Sequence, residues 1–324
     1  GTATGTIRND DLGITLIHEI QGSAATWGEQ FGRTDATPFF GATVKISAIA
    51  VGDFQNGDAD DGRNFGGFYL QEEDADADGD AMTSEGIFVY EGAGSFMTDV
   101  KVGDRVTLIG TATEYFGETQ INASQIVIES GGNVLPTAAD ITFPIADIRT
   151  NGDGQVIADL EAYEGMLVNV PQALTVADLF DYGRYGEIGL YADGRLATYT
   201  QENAPDQAGF QAYLENAVRN TITIDDGRTV QNPFTLPYPD GSYGTADGLS
   251  SGDTVTGLTG VVRYSRSSGS NGDENYRINP TEAPVFEDTD PRQETPPEVG
   301  SSLKVVSYNV LNYFNGDGMG GGFP

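Results

Sequence analysis

Residues 104–129 read DRVTLIGTATEYFGETQINASQIVIE, and this stretch decides the fold class. Two runs rich in β-branched and aromatic residues, Asp104 to Phe116 and Thr119 to Glu129, lie on either side of Gly117 and Glu118. A connection of two residues is typical of a tight β-hairpin. Similar runs occur before and after this hairpin, separated by glycine-rich turns, so the sequence predicts a mainly β protein.

The predicted strands form two sets of five, each sufficient for a small Greek-key barrel of the OB-like kind. The first set is Thr43 to Phe54, Gly66 to Gln71, Gly86 to Glu91, Asp104 to Phe116 and Thr119 to Glu129. The second set is Gly165 to Val176, Glu187 to Thr200, Asn220 to Gly227, Asp253 to Ser265 and Tyr276 to Pro280. The sequence therefore predicts two OB-like barrels in tandem.

The two sets also resemble copies of one unit. The segment Gly103 to Thr107, GDRVT, matches Gly252 to Thr256, GDTVT, and each precedes a glycine-interrupted strand. Because Gly-Asp before a strand is ordinary turn chemistry, a chance match is the competing interpretation. Helix is minor: the spacing of apolar residues predicts one short helix over Pro205 to Arg219, and Asp159 to Tyr163 is a shorter candidate.

Composition limits the classes of function. The 324 residues include 49 acidic and 16 basic side chains, for a formal net charge of −33, with one histidine and no cysteine. A basic nucleic-acid-binding surface cannot cover most of such a chain, whereas divalent cations are favoured partners. The lack of cysteine excludes disulfides, thiolate zinc sites and cysteine nucleophiles. No apolar run approaches the roughly 18 residues of a membrane span.

The most specific motif is DADADGDAMTSE, Asp74 to Glu85. It fills the positions of a twelve-residue calcium loop, with oxygen ligands at positions one, three, five, seven and twelve and glycine at position six. These predicted calcium ligands are Asp74, Asp76, Asp78, Asp80 and Glu85. Because strand patterns flank the loop, we expect a calcium-clamped hairpin that adds rigidity, and a solvated acidic hairpin tip is the competing interpretation.

A weaker candidate for a second metal site is NGDADDG, where the ligands would be Asn56, Asp58, Asp60 and Asp61. No glutamate follows at the twelfth position from Asn56, so a bland loop is an equal interpretation. A third interpretation is that these side chains supply ligands to the first calcium site instead of binding an ion of their own.

Three further features concern single residues or short segments. His18, the single histidine, has no cysteine or serine partner in a recognisable motif, so a packing or hydrogen-bonding role is favoured over that of a base. The segments DYGRYGE (181–187) and YSRSS (264–268) combine aromatic and basic side chains that could stack on bases and touch phosphates. The candidate nucleic-acid contacts there are Arg184, Tyr185, Tyr264 and Arg266, with core or rim packing as the competing role.

Several phrases taken together resemble a known family. They are IHEIQG, GGFYLQEEDADADGD, VGDRVTLIGTATEY, YEGMLV, GRYGE, GDTVTGLTGVV and LKVVSYNVLNYF. In this order they are similar to secreted bacterial nucleases of the ExeM/NucH type, in which OB-like domains precede an endonuclease/exonuclease/phosphatase domain. The leading GTATGTIRNDD resembles the last strand of a Calx-beta repeat.

The resemblance implies a division of the chain and a fragment of an active site. The implied parts are a Calx-beta-like strand (1–13), a first barrel with the calcium loop (14–136), a second barrel (137–286), a linker (287–302) and the truncated first strand of a catalytic domain (303–324). In that superfamily the first strand carries an asparagine beside the metal and the scissile phosphate, which implies Asn309 as a catalytic residue. Magnesium or another divalent ion would serve the rest of that catalytic domain, which we expect beyond Pro324.

The expected function is the accessory, substrate-positioning region of an extracellular metal-dependent nuclease or phosphodiesterase that degrades DNA or RNA. The expected location is the exterior or the cell surface of a bacterium. The alternative is a calcium-dependent structural, adhesive or filament-forming surface protein without catalysis, which would form a homo-oligomer or surface assembly. Salt-sensitive binding of single-stranded DNA favours the first, and calcium-driven self-association without DNA affinity favours the second.

Overall fold

A computed structural model of the protein describes most of the chain. The described residues are 12–30, 33–56, 62–92, 98–233, 236, 238, 248–266, 272–289, 300 and 305. The Calx-beta-like strand, the acidic residues Asp58, Asp60 and Asp61, most of the linker and the terminal segment with Asn309 lie outside these residues. Residues 1–290 belong to one compact unit and residues 291–324 to another.

The prediction of a mainly β fold is confirmed, since 39% of the structure is strand and 12% is helix. The first helix of the described residues is the short α1 (Ile17–Gln21), which buries Ile17 and Ile20. Strands β1 (Gly28–Gln30) and β2 (Arg33–Ala36) follow as a two-stranded antiparallel sheet. None of the helices in the described residues is long and apolar enough to cross a membrane.

A closed five-stranded barrel comes next. Its strands are β3 (Thr43–Phe54), β4 (Gly67–Gln71), β5 (Gly86–Tyr90), β6 (Arg105–Tyr115) and β7 (Glu118–Ser130). They pair in the order β3-β4-β5-β7-β6 and close again on β3, and β5 runs parallel to β7. This is the Greek-key order of an OB barrel, which we call barrel 1. The hairpin turn lies at Phe116 and Gly117, both with positive φ, one residue earlier than the sequence suggested.

The remaining strands form one small antiparallel pair and a nine-stranded sheet. The strands are β8 (Ala139–Asp140), β9 (Ile148–Thr150), β10 (Val156–Ala158), β11 (Leu167–Val170), β12 (Leu174–Asp178), β13 (Ile188–Tyr191), β14 (Thr221–Ile224), β15 (Thr254–Val255), β16 (Leu258–Arg266), β17 (Glu274–Pro280) and β18 (Phe286–Glu287). Strands β9 and β10 pair with each other, and the large sheet has the order β18-β15-β12-β13-β14-β17-β16-β11-β8.

The large sheet repeats the order of barrel 1 when its broken strands are joined. Strands β11 and β12 correspond to two successive segments of the first barrel strand, and β15 and β16 correspond to two segments of the fourth. The pairing shows this, because β11 pairs with β16 and β12 pairs with β15. The third and fifth members, β14 and β17, are again parallel. The sheet therefore curls on itself in the same Greek-key order, and we call it barrel 2.

The matching Gly-Asp turns occupy equivalent places in the two barrels. In barrel 1 the Asp104 carboxylate accepts from the Lys101 backbone N–H at 2.9 Å, and the Asp104 carbonyl accepts from Ala50 at 2.8 Å. In barrel 2 the Asp253 carboxylate accepts from Ser250 at 2.6 Å, and the Asp253 carbonyl accepts from Val176 at 2.7 Å. The same hydrogen bonds close both turns, which favours the interpretation of the two sets as copies.

The helices lie mainly in the region of barrel 2. The predicted helix is α4 (Gln207–Asn220), whose first turn is capped by the Asp206 carboxylate. Two single-turn helices, α2 (Tyr182–Tyr185) and α3 (Tyr199–Glu202), add to the one helix predicted there, and Glu161–Tyr163 forms a 3-10 turn.

The two barrels pack against each other along a seam. The backbones approach so closely that a Cβ on Gly86 would lie 2.2 Å from the carbonyl carbon of Gly165. A shared apolar cluster joins Phe54 and Tyr69 of barrel 1 to Leu167 and Val261 of barrel 2. The seam therefore fixes the relation of the two barrels within the first compact unit.

Candidate functional site

A cleft of about 470 Å³ opens where the two barrels meet. Barrel 1 lines it with side chains that are mostly aromatic, and barrel 2 lines it with side chains that are mostly polar or basic. The lining residues used below are Phe65, Tyr90, Tyr115, Phe116, Tyr185, Arg228, Arg263 and Arg266. The cleft is thus built from both barrels and exists only because the seam holds them together.

The aromatic side of the cleft includes an exposed pair. Tyr115 and Phe116, at the β6–β7 turn, expose 55% and 49% of their surface, and their rings meet edge to face at 4.8 Å. Exposed aromatic rings of this kind offer flat apolar faces on which a planar ligand can stack. The sequence favours neither ring as a ligand contact, because both also fit the end of an ordinary strand.

The basic side of the cleft is formed by arginines of barrel 2 that lie against aromatic rings of barrel 1. The Arg263 guanidinium lies 3.7 Å from the centroid of Phe65, and that of Arg266 lies 5.5 Å from the centroid of Phe116. Arg263 also pairs with the buried Glu118 at 3.5 Å. Burial is the largest single influence and lowers the pKa of Arg263, but Glu118, Tyr69 and Asp225 together outweigh it, so the pKa is raised overall and the cation is kept.

The position of the cleft on barrel 1 is the one that OB barrels use for ligands. Oligonucleotides and oligosaccharides bind such barrels across strands two and three and beside the loops between strands one and two and strands four and five. Here Tyr90 belongs to the third barrel strand, Phe65 to the first loop and Phe116 to the last turn. The aromatic wall of the cleft therefore lies on the face of barrel 1 that corresponds to the ligand-binding face of OB barrels.

The structure separates the four residues predicted to contact nucleic acid. Tyr185 and Arg266 line the cleft, and the Arg184 guanidinium lies 4.9 Å from the Tyr185 ring. Tyr264 is only 2% exposed and packs against Tyr276 at 4.8 Å between ring centroids. Tyr264 thus serves the core of barrel 2, as expected for the inward position of an alternating strand.

Two buried aspartates lie at the barrel 2 edge of the cleft. Asp225 lines the cleft, and the Asp226 carboxylate accepts from the Arg228 backbone N–H at 2.9 Å. Burial, with the charge of Asp225 as the next cause, raises the pKa of Asp226 to about 7. The charge at this edge of the cleft therefore changes near neutral pH.

The acidic loop, residues 74–85, has internal hydrogen bonds but its predicted ligands do not all converge. The Asp74 carboxylate turns to Thr137, whose backbone N–H and hydroxyl donate to it at 2.8 and 2.6 Å and lower the pKa of Asp74. Asp78 accepts from the Asp80 N–H at 2.7 Å, and Gly79 has the positive φ expected at position six. The calcium site, including Asp76, stays a prediction.

Glu85, the predicted twelfth ligand, lies in a different group of side chains. The His18 Nδ1 atom is 2.8 Å from Glu72 Oε2 and 3.2 Å from Glu85 Oε2. Among the described residues this is the group of three side chains whose ligand atoms lie within 4.8 Å of one another. The hydrogen-bonding role predicted for His18 is confirmed, and its partners are two carboxylates.

Burial and proximity perturb the pKa values of this group. Burial, followed by the hydrogen bond to Glu85, raises the pKa of Glu72 to about 8. Burial lowers the pKa of His18, but its hydrogen bond to Glu72 and the charges of both glutamates outweigh burial, so the pKa is raised above 6.5. Burial and mutual proximity thus favour the protonated forms of Glu72 and His18.

Sequence reasoning missed both groupings for the same reason. The cleft joins residues from positions 65 to 266, and the histidine group joins positions 18, 72 and 85, so neither has a local spacing. The available signal for the second group was the pair of glutamates at the two ends of the acidic loop, Glu72 two residues before it and Glu85 as its last residue.

Comparison with known protein families gives a match over part of the chain. A family described as a domain of unknown function (DUF8508) matches residues 148–290, which contain β9 to β18 and so nearly all of barrel 2. No curated protein and no solved structure matches the chain. The match identifies barrel 2 with its helices as a recurring unit and says nothing about chemistry.

Proposed function

We propose that this region is the accessory, substrate-positioning part of an extracellular metal-dependent nuclease or phosphodiesterase, and that the cleft between the barrels holds a single-stranded segment of DNA or RNA. The observation that carries the proposal is the aromatic wall of the cleft, on the face of barrel 1 that corresponds to the ligand-binding face of OB barrels, with arginines of barrel 2 opposite it. Stacking on aromatic rings together with cationic contacts to phosphates is how proteins hold single strands.

The charge distribution supports an anionic ligand at this place. The whole chain carries a formal net charge of −33, yet the charged residues that line the cleft are Arg228, Arg263 and Arg266 against Asp225. Arg266 also pairs with Asp153 at 2.9 Å and Glu274 at 3.0 Å, which moderates its charge. Arg263 in turn pairs with Glu118 at 3.5 Å, so these two cations are partly balanced. The lining of the cleft is nevertheless less acidic than the chain as a whole, and the cleft would admit a short strand rather than a long duplex.

The catalytic part of the proposal rests on the ordered phrases that resemble exported nucleases. Asn309 would contribute to the catalytic centre, which would use magnesium or another divalent ion. Calcium held by the aspartates of the acidic loop would stiffen barrel 1, and the protein would act outside the bacterial cell. Calcium-driven self-association of a surface protein is the competing function.

The first experiment measures binding of fluorescent oligo-dT and oligo-U to residues 1–324 by anisotropy. We expect micromolar affinity that weakens with salt, with a log–log slope of about −2 if three phosphates are contacted. Tyr115→Ala and Phe116→Ala should each weaken binding roughly tenfold, because stacking contributes about 1–3 kcal/mol per base.

Phe210→Ala is the matched control. Phe210 exposes 41% of its surface on α4 and does not line the cleft, so its replacement should leave the affinity unchanged. Absence of affinity in the wild type, or equal losses in all three variants, would refute the cleft as a nucleic-acid site. Self-association with calcium and no nucleic-acid affinity would replace it with the surface-protein function.

A further inference from the structure

Three side chains from separate parts of the chain meet at the base of the acidic loop. His18 comes from α1, Glu72 follows β4, and Glu85 precedes β5. The Nδ1 atom of His18 lies 2.8 and 3.2 Å from the Oε2 atoms of Glu72 and Glu85. One nitrogen and two oxygens thus face a common point.

The far oxygens of both carboxylates are held by the backbone. Glu72 Oε1 accepts from the Ile17 N–H, and Glu85 Oε1 accepts from the Asp78 N–H at 3.1 Å. Partners of this kind fix the orientation of metal-ligating carboxylates. The oxygens that remain, both named Oε2, are therefore the ones directed at His18.

The group is buried, and its two carboxylates share the His18 ring as their side-chain partner. Glu72 is 4% exposed and Glu85 is 8% exposed, and neither is paired with a lysine or arginine in the described ion pairs. Two carboxylates held together away from water repel each other unless a cation or a proton lies between them. A divalent ion would balance both charges and use all three converging atoms.

Barrel 2 shows that the fold does not need these carboxylates. Gln71 pairs with Gly86 in barrel 1, and Tyr191 pairs with Thr221 at the same place in barrel 2. The next residues outward are Glu72 and Glu85 in one barrel and Ala192 and Asn220 in the other. In each barrel these two residues form the base, or neck, of the connection between the second and third strands. The same backbone hydrogen bond closes the neck in both barrels, at 3.0 Å from Glu72 N to Glu85 O and 2.9 Å from Ala192 N to Asn220 O.

We propose that His18, Glu72 and Glu85 bind one divalent transition-metal ion of the zinc class. Zinc takes nitrogen and carboxylate ligands at about 2.0–2.2 Å in a tetrahedron, which separates the ligand atoms by roughly 3.3 Å. The 3.2 Å distance from His18 Nδ1 to Glu85 Oε2 matches this spacing, and the 2.8 Å distance to Glu72 Oε2 would lengthen by about 0.5 Å on metal binding. Calcium requires six to eight oxygens, so this ion differs in chemistry and position from one bound by the aspartates of the loop.

The ion would join α1 to the base of the acidic loop beside the seam. Gln21, at the end of α1, donates from Nε2 to the Gly86 carbonyl at 2.6 Å, and Gly86 is the residue packed against Gly165. Metal binding would therefore stabilise the contact between α1, the loop and barrel 2. This role is structural and is independent of nucleic-acid binding in the cleft.

The test is zinc titration of the whole chain by calorimetry, with Co²⁺ absorption as the probe of coordination geometry. The key variant is Glu72→Ala with Glu85→Asn, which gives barrel 1 the neck residues of barrel 2 and so should fold. We expect one zinc ion per chain, a raised melting temperature, tetrahedral cobalt bands, and at least tenfold weaker binding in the variant. His18→Gln should lose affinity similarly.

Asp76→Asn with Asp80→Asn is the control, because both side chains belong to the loop but not to the group. It should bind zinc as the wild type does. Loss of zinc binding in this control would assign the ion to the loop and overturn the proposal. Wild-type affinity in the neck variant or in His18→Gln would also overturn it, leaving the group as a histidine paired with two glutamates.

Discussion

Barrels 1 and 2 share one strand order but differ in what fills the connection between the second and third strands. In barrel 1 this connection is residues 72–85, which contain the acidic loop and whose base gathers His18, Glu72 and Glu85. In barrel 2 it is residues 192–220, which contain α3 and α4 and close with Ala192 and Asn220. The sheet therefore fixes the backbone at the neck of the connection in both barrels, whereas the side chains at the neck and the residues beyond it differ and can serve a separate function.

The barrels also differ in how continuous their strands are. Strand β3 runs unbroken from Thr43 to Phe54, whereas its counterpart is divided into β11 and β12 on either side of Pro171. Proline has no N–H to donate to the ladder, so it interrupts pairing there. Barrel 1 therefore closes as a continuous barrel, whereas the sheet of barrel 2 is interrupted at this strand.

The largest expected effect concerns the seam position at which the barrels differ. Gly86→Ala should lower the free energy of unfolding by about 3 kcal/mol, because its Cβ would collide with the Gly165 backbone, whereas barrel 2 has Thr221 at the equivalent position. Chemical denaturation measures the loss. Gly13→Ala is the control, since nothing lies within 4 Å of a Cβ there. Equal free energies of unfolding for the two variants would show that the backbone at the seam shifts to accommodate the added methyl group.

Raising the pH from 5 to 8 should lower the free energy of unfolding by about 2–3 kcal/mol through Asp226, at the barrel 2 edge of the cleft. The pKa of Asp226 is raised by burial from 3.8 to about 7, so between these values the folded protein holds a proton that the unfolded chain has lost. Stability therefore falls as pH rises from about 4 to 7, and the penalty is complete above 7. Denaturation at pH 5 and pH 8 should show a smaller decrease for Asp226→Asn than for the wild type.

The exposed Asp193→Asn is the control for this titration, because its side chain lies in solvent beyond β13. It should follow the wild-type pH dependence. A decrease in Asp226→Asn as large as that of the wild type would mean that Asp226 ionises as an ordinary surface carboxylate.

The smallest expected loss of stability concerns the two equivalent Gly-Asp turns. Asp104→Ala and Asp253→Ala should each lower the free energy of unfolding by about 1 kcal/mol, because each removes one side-chain acceptor from a backbone N–H, at Lys101 and Ser250. The Asn variants keep an acceptor and should retain most of the stability. A loss at one turn and none at the other would contradict the equivalence of the two barrels, as measured by thermal or chemical denaturation.

Local sequence predicted elements best where a single pattern ran without interruption. The strand Thr43–Phe54 was predicted with its observed bounds, and the helix predicted to begin at Pro205 was found as Gln207–Asn220. The strand predicted over Glu187 to Thr200 is wrong beyond Tyr191, since a turn follows and Thr198 and Gln201 form the capping box of α3. Capping outweighed β propensity there, because a side chain that satisfies free backbone N–H groups starts a helix.

The sequence by itself determined the mainly β class, the turns, the two sets of strands and the acidic loop, because each depends on residues close together in the chain. Only the tertiary structure decided that Phe116 and Arg266 share a cleft, that Tyr264 is core, and that Glu85 meets Glu72 and His18. The physical reason is that these groupings depend on closure of the barrels and on their packing at Gly86 and Gly165, which no local pattern encodes.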